Sequence, residues 1–461
     1  MKAFKPSSNL DKNKVFILNR SGLDQRFDPQ YYHFERRLQI ENLRNSGHKL
    51  LPLIEVAEFS KNLLTSNPNN LPYLGLEDIE SNTGVYLGNS EKGGFGTALR
   101  FTKGDVLFPK LRPYLNKVHF AEFDGVCSTE FTVLKSRSMN PKFLSAYLRS
   151  PIVLNQVKHM MSGNTLPRLQ TEDVRSLLVP IPSKEIQEKV VSLMDEAYSQ
   201  KKCNEAEAEK LLAGIDDYLM KELNVMLPEQ NNGLGDRIFQ LNFRELEGRL
   251  DPFYYITEFK EIEANIIRSG SCVVALENLF LINRGGSPRP IDKFYTEEES
   301  GVNWIKIGDT KNDDKYIYST KQKIKPEGAH FSRKVEIGDF ILSNSMSFGR
   351  PYIMKISGYI HDGWLLFRPK TTSVDNDYLY SILSSKLIYR LFKKATIGGV
   401  VDNLNIDLVK KIKIPLPSLP KQQEIARHIT NIRKQAQELK DQTKSALEQA
   451  NKKIEEILLG S

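Results

Sequence analysis

The chain repeats itself, and the repeat limits the folds open to it more than any other feature does. Arg26-Phe27-Asp28-Pro29-Gln30-Tyr31-Tyr32 returns as Arg249-Leu250-Asp251-Pro252-Phe253-Tyr254-Tyr255. Tyr73-Leu74-Gly75-Leu76-Glu77-Asp78 has a looser echo in Trp304-Ile305-Lys306-Ile307-Gly308-Asp309. Gly104-Asp105-Val106-Leu107 matches Gly338-Asp339-Phe340-Ile341, and Asn140 through Ser150 matches Asp375 through Ser385. Pro180-Ile181-Pro182 matches Pro415-Leu416-Pro417. The matches keep their order, and their offset drifts only slightly, as loops of unequal length would make it drift. A duplicated unit of about half the 461 residues explains this. A chain of this length is expected to form several domains.

Each unit mixes element types. The short apolar runs Val106-Leu107-Phe108, Phe131-Thr132-Val133-Leu134, Phe340-Ile341-Leu342 and Trp364-Leu365-Leu366-Phe367 predict strands. Pro141 to Leu148 and Asn376 to Leu383 predict short helices, and Gly93-Gly94, Gly285-Gly286-Ser287-Pro288 and Gly398-Gly399 predict turns. The fold class is therefore α+β, with two similar α/β domains.

Past each Pro-x-Pro the composition changes. Ser183 to Leu223 has no proline, Lys421 to Leu459 has neither proline nor glycine, and both are rich in helix formers. Ser183 with Ile186-Gln187 predicts a helix cap in which the glutamine closes back on the N-terminus. In the second stretch Ile425, Ile429, Ile432, Ala436, Leu439, Thr443, Ala446, Ala450 and Ile457 keep a four-three spacing broken at Lys453, the pattern of a coiled-coil seam. In the first, Ile186, Val190, Leu193 and Ala197 begin such a seam. It turns polar at Gln200, Asn204 and Glu207, and resumes through Leu211, Ile215 and Tyr218. Forty residues of helix span about 60 Å. Two such helices in one chain can cover each other's seams, and an antiparallel coiled coil would hold the two units apart. The expected organisation is a domain over 1–182, a long helix over 183–225, a second domain over 226–417 and a second long helix over 418–461.

Chemistry is sparse. No P-loop is present, and Gly93-Gly94-Phe95-Gly96 lacks the helix that a cofactor loop needs. Asp28-Pro29-Gln30-Tyr31 and Asp251-Pro252-Phe253-Tyr254 approach the Asp-Pro-Pro-Tyr motif of amino-methyltransferases, but both lack the second proline and read as structural turns. Cys127, Cys203 and Cys272 form no Cys-x-x-Cys pair, and the seven histidines show no ligand spacing, so neither a disulfide framework nor a metal site is expected. This cysteine usage suits a reducing cytoplasm. The N-terminus lacks the apolar core of a secretory signal, and no transmembrane segment is expected.

The net charge of +8 makes nucleic acid a live partner. Duplex DNA suits a two-headed basic protein, because two heads on a rod can read two half-sites. The candidate DNA contacts are loop cations: Arg100, Lys103, Lys110, Arg112, Lys117 and Arg168 in the first unit. In the second they are Arg284, Arg289, Lys293, Lys306, Arg333, Arg350, Lys393 and Lys394.

The strings Gly104 through Val118, Gly163-Asn164-Thr165-Leu166-Pro167-Arg168-Leu169 and Val179-Pro180-Ile181-Pro182 with Gln187 and Val190 carry a family resemblance. So do Gly285-Gly286-Ser287-Pro288, Asn303 through Asp309, Gly338 through Leu342, and Ile414-Pro415-Leu416-Pro417 with Gln422 and Ile425. Together they make the chain resemble the specificity subunit of type I restriction-modification systems, over nearly all of its length. The resemblance implies two target-recognition domains that read a bipartite double-stranded DNA sequence, with no catalytic site in this chain. It implies that the long helices act as a spacer and dock methyltransferase subunits, two of them. Ile186, Val190, Leu193, Ile425, Ile429, Ile432 and Leu439 are the candidate spacer and docking positions. S-adenosylmethionine would sit on the methyltransferase subunits, and restriction subunits would use ATP. The first unit departs from the second in lacking a Gly-Gly-Ser-Pro loop near its start. The competing readings are a DNA adenine methyltransferase with its own cofactor site, and a protein scaffold whose coiled coil is the functional part. S-adenosylmethionine binding by the isolated chain would favour the former, and unchanged DNA methylation after a unit exchange the latter.

Overall fold

The structure is a computed structural model. It describes residues 28–460 apart from 67–69, 89–95, 164, 230–237, 239, 244–245, 247–250, 312–313, 345–347 and 398–402, together with 11, 17–18 and 23. The repeat positions Arg26-Phe27 and Arg249-Leu250, the turns Gly93-Gly94 and Gly398-Gly399, and Asn164 lie outside the described residues. The chain divides into two compact units, 1–205 with 440–461, and 206–439.

In the first unit one sheet runs, in spatial order, Ala57–Phe59, Phe131–Ser136, Val106–Pro109, His119–Phe120. A second runs Leu63–Leu64, Ala98–Phe101, Gly125–Ser128, Tyr73–Leu74, with the last pair parallel. In the second unit the two corresponding sheets have five strands each, beside two-stranded pairs. One runs Phe280–Arg284, Trp364–Pro369, Phe340–Ser343, Pro351–Met354, Tyr316–Ile317. The other runs Tyr295–Thr296, Gln322–Ile324, Val302–Ile305, Gly358–Ile360, Arg333–Val335.

The central strands are apolar throughout because both faces are covered. Successive side chains of a strand point to opposite faces. Val106, Phe108 and Leu134 enter the core built with the helices, whereas Leu107, Phe131 and Val133 enter a second core with Leu74, Phe101 and Cys127. The second unit repeats this: Phe340, Leu342, Leu365 and Phe367 face one core, and Ile341, Trp364 and Leu366 the other.

The repeated sequences are repeated turns. Asp105 accepts the backbone N–H of Thr102 at 2.8 Å, and Asp339 accepts that of Glu336 at 2.7 Å. The preceding glycines, Gly104 and Gly338, have φ of +94° and +92°, a region that penalises a Cβ. Asp78 accepts the N–H of Gly75 at 2.7 Å, and Asp309 that of Lys306 at 2.8 Å, so the looser echo is also one motif. Asp28 and Asp251 cap the 3-10 turns Pro29–Tyr32 and Pro252–Tyr255, and the paired tyrosines meet edge to face at 5.1 and 5.0 Å. These Asp-Pro motifs are structural turns.

The first long helix spans Lys184–Glu222 and the second Leu419–Leu459. Ser183 caps the first helix as expected, its hydroxyl accepting the Ile186 N–H at 3.4 Å, but the glutamine near the start of each helix reaches further. Gln187 Oε1 accepts the N–H of Asn140 at 2.9 Å and its Nε2 donates to the Pro182 carbonyl at 3.1 Å. Gln422 repeats both bonds, with Asp375 at 3.0 Å and Pro417 at 2.8 Å. Each glutamine pins its helix to the start of a domain helix.

Within the first unit Val190, Met194 and Ala197 share a core with Ala450, Ile454 and Leu458 of the second long helix, and Ile186 and Leu193 are half-buried beside them. Within the second unit Leu219, Met220 and Leu223 share a core with Ile425, Ala426 and Ile429. There the segments run antiparallel, with Tyr218 against His428 at 4.1 Å and Glu222 paired with Lys421 at 2.5 Å. The buried stripe of the first helix turns polar where its sequence suggested, though only Asn204 of the three expected positions lies in it. It continues through Lys201, Asn204 and Ala208, leaving Gln200 and Glu207 exposed. The Lys201 ammonium is held by Glu205 at 2.6 Å and Glu80 at 3.2 Å, which makes a charged residue tolerable there. In the second helix Ile432 and Leu439 are only half-buried, and past Ala450 the fully buried positions are Ile454 and Leu458, with Ile457 half-buried. No described helix is long and apolar enough to cross a membrane.

Three histidines make stability depend on pH. Burial holds His119, His159 and His361 below the usual imidazole value; Arg149 pushes His119 further down, while the Gly84 carbonyl opposes. The unfolded chain therefore binds protons that the folded chain refuses. This contribution is present above the ordinary value of about 6.5 and is lost as pH falls below it, at up to about 1.4 kcal/mol per pH unit for each group. Thermal melting between pH 8 and 5 should show midpoints falling on the acid side. A flat profile would contradict the burial of these rings.

Candidate nucleic-acid interface

In the first unit three segments meet where the strand Val106–Pro109 ends. The Lys110 N–H donates to the Glu130 carbonyl at 2.8 Å, and the Leu169 N–H to the Lys110 carbonyl at 2.9 Å. The Arg112 N–H donates to Pro167 at 2.7 Å, and the Arg168 guanidinium pairs with Glu130 at 2.5 Å. Lys110, Arg112 and Arg168 are thereby brought together. Arg112 and Asn116 are both left-handed, with φ of +46° and +52°, and flank the turn Pro113–Leu115. Such strain costs on the order of 1 kcal/mol per residue and is kept where its surroundings hold it. Here Asn116 is buried and its amide donates to the Arg149 carbonyl at 2.8 Å, while Arg112 and Tyr114 are left exposed. Lys117 reaches the same region, but its ammonium is spent on the Leu76 carbonyl at 2.7 Å. Arg100 and Lys103 belong elsewhere. Arg100 lies opposite Val126, and Lys103 sits in the turn before Val106, donating its N–H to Asp124 at 2.8 Å. A four-residue strand, about 13 Å, separates that turn from Lys110.

The second unit rebuilds the same junction. The Asn344 N–H donates to Gly363 at 2.8 Å and the Leu404 N–H to Asn344 at 3.4 Å, the counterparts of the Lys110 bonds. Around the turn His361-Asp362-Gly363 the structure gathers Arg284, Arg289, Lys306 and Arg333. Arg284 Nε donates to the Asp362 carbonyl at 3.3 Å, and Arg289 approaches the Asp362 carboxylate at 3.5 Å. Lys306 follows a strand parallel to Gly358–Ile360, next to His361, and its ammonium donates to Gln322 at 2.9 Å. Arg333 opposes Ile360 and is exposed. Burial would raise the Asp362 carboxyl, but the Ser287 hydroxyl, His361 and Arg289 hold it below the usual range.

The remaining candidates are dispersed. Lys293 is exposed in the turn Ile291–Lys293. Arg350 takes its N–H to Ser343 Oγ at 3.0 Å. Lys393 lies 5.3 Å over the Tyr389 ring, which stacks on Phe348. Lys394 is 14% exposed, pairs with Glu263 at 2.6 Å and covers Tyr254, so it serves domain packing.

Sequence reading missed Ser287 and Asp362, whose partners lie more than seventy residues away in the chain, and His361 beside them. It also missed a group of His33, Glu35 and His159, whose donor atoms lie within 4.8 Å of one another. The two imidazoles stack at 4.0 Å and 10°, so their lone pairs lie in separate parallel planes, and Glu35 is shared with Lys158 at 3.1 Å. That arrangement is a hydrogen-bonded stack; its lone pairs do not converge as metal ligands must.

Two copies of one loop-ended sheet domain, each leading into a long helix, make up a duplicated protein. The family model of the type I restriction modification DNA specificity domain matches residues 50–213 and again 269–449, and the chain belongs to that family. It is 25% identical over 215 residues to the type I restriction enzyme EcoDI specificity subunit of Escherichia coli, a match covering 43% of this chain and 47% of that one. The chain thus spans about half the length of that relative. It is 22% identical over 346 residues to the MjaVIII specificity subunit of Methanocaldococcus jannaschii, covering 73% of each. A chain from a study of complex assembly and conformational transition of the type I R-M system has the same fold, with a TM-score of 0.52 at 19% identity, over 89% of this chain and 96% of that one.

Proposed function

We propose that the chain is the DNA-reading subunit of a type I restriction-modification complex, each unit recognising one half of a two-part duplex sequence. The observation that carries this is the equivalence of the two strand-end junctions. Lys110, Glu130 and Leu169 in one unit, and Asn344, Gly363 and Leu404 in the other, make the same backbone bonds; the leucine is kept, but Asn344 and Gly363 stand where the first unit has Lys110 and Glu130. A shared frame with exchanged side chains is what two readers of different sequences require. The long helices supply the spacer and the docking face for two methyltransferase subunits, which bring S-adenosylmethionine; restriction subunits bring ATP. Domains 1–182 and 226–417, with spacer segments 183–225 and 418–461, are the functional parts under this reading, and the cytoplasm is where it operates.

Phosphate binding releases counterions, so affinity for the target should fall linearly on a log–log plot against salt, by about 0.9 per phosphate neutralised. Exchanging Lys110, Arg112 and Arg168 together for Ala should make that slope shallower by about 1 for each phosphate that is no longer neutralised. Titration of the complex on labelled duplex at several salt concentrations measures it. An unchanged slope would remove this cluster from the interface.

A further inference from the structure

Resting on the DNA-reading function above, we propose that Arg289 reads a guanine in the half-site of the second unit, and that Asp362 is its positioning residue. The loop carrying Arg289 has little freedom. A Cβ at Gly285 would lie 2.1 Å from the His361 carbonyl oxygen, and one at Gly286 would lie 2.6 Å from that of Phe331. Both glycines also donate their N–H groups to the sheet, Gly285 to Trp364 at 2.9 Å and Gly286 to Ile360 at 3.2 Å. The chain is thus laid flat on the 361–363 turn before it reaches Ser287, whose hydroxyl donates to Asp362 Oδ1 at 2.9 Å. The other carboxylate oxygen faces Arg289 Nη2 at 3.5 Å, while the Arg289 side chain is 83% exposed.

A guanidinium is a planar fork with donors along two edges. Only Nη2 is turned to the carboxylate, at 3.5 Å, so the other donors of the fork remain for a partner, and paired N–H groups of this kind are what meets guanine O6 and N7 in the major groove. The neighbouring cations lack this combination. Lys306 is engaged with Gln322, Arg284 is tied to a backbone carbonyl at the end of its strand, and Lys293 and Arg333 are exposed with no ion pair to a described residue. Arg289 alone among these five is both solvent-facing and braced by a charge.

The test is an adenine-methylation map of genomic DNA from cells carrying the full system, with the wild-type chain and with Arg289→Ala, Arg289→Lys or Asp362→Asn. The wild-type map should give a two-part motif. Arg289→Ala should leave one half intact and relax a single guanine position in the other, with discrimination there falling roughly 5- to 150-fold. Arg289→Lys keeps the charge and loses the fork, so it should relax the same position. Asp362→Asn should relax it partially and no other. Methylation lowered evenly, with every position still read, would make Arg289 a phosphate contact and overturn the proposal. So would loss of the whole half-site in the lysine variant, which would make Arg289 structural. A wild-type map without a two-part motif would overturn the DNA-reading function itself, and this assignment with it.

Discussion

Replacing Asp339 by Ala is expected to destabilise the second unit by about 3 kcal/mol, more than the equivalent change at Asp105 in the first. Both aspartates close the same turn, but their surroundings differ. Asp339 is buried, accepts the Glu336 N–H at 2.7 Å, and receives Arg368 through Nε at 2.9 Å and Nη2 at 2.6 Å. The two charges hold each other, and the hydrogen bonds from Asp339 push the Arg368 guanidinium further above its ordinary value. Removing the carboxylate strands a backbone donor and leaves the guanidinium without its partner. Each such loss costs on the order of 1–3 kcal/mol, reduced here because Arg368 is partly exposed and can take up water. Asp105 accepts only the Thr102 N–H at 2.8 Å and hydroxyl at 3.0 Å, so its loss should cost about 1–2 kcal/mol. Hydrogen exchange, which reports each unit separately, should show the larger loss of protection in the 340–367 strands. Equal effects at the two positions would contradict the role given to Arg368.

Ile425→Ala is expected to cost about 2–5 kcal/mol, and Ile432→Ala, on the same helix stripe, about 1 kcal/mol. Ile425 is fully buried among Leu219, Met220 and Leu223 of the first long helix, and the space left by its lost methyl groups is walled by two helices and a domain. Ile432 is half-buried, and solvent already reaches it. The same seven-residue pattern thus conceals positions of very different weight, which denaturant titration of the two variants should separate. If Ile432→Ala proved the more damaging, the core described around Ile425 would be wrongly placed.

This contrast marks how far the sequence could be read. Turns are short-range chemistry, so Gly104-Asp105 and Gly338-Asp339 announced themselves twice, as did the capped Asp-Pro turns. The long helices followed from composition; the first lies within its run free of proline, whereas the second starts two residues before its run and takes Pro420 into its first turn. What depended on distant partners stayed hidden. Nothing near Gln187 says that its amide will reach Asn140, and nothing near Lys201 says that Glu80 will make its burial tolerable. The candidate interface was half legible for the same reason. Cations in loops can be counted, and Lys110, Arg112 and Arg168 do converge, as do Arg284, Arg289, Lys306 and Arg333. That Lys394 is enclosed by Glu263 and Tyr254 follows only from a helix packed more than a hundred residues away in sequence.

The most direct test of two-headed reading is exchange of one head. Residues 226–417 would be replaced by the corresponding segment of another family member, and methylated adenines mapped across a genome carrying the full system. One half of the motif should persist and the other should become that of the donor. A motif unchanged in both halves would show that the second unit reads nothing, and would leave the chain a scaffold.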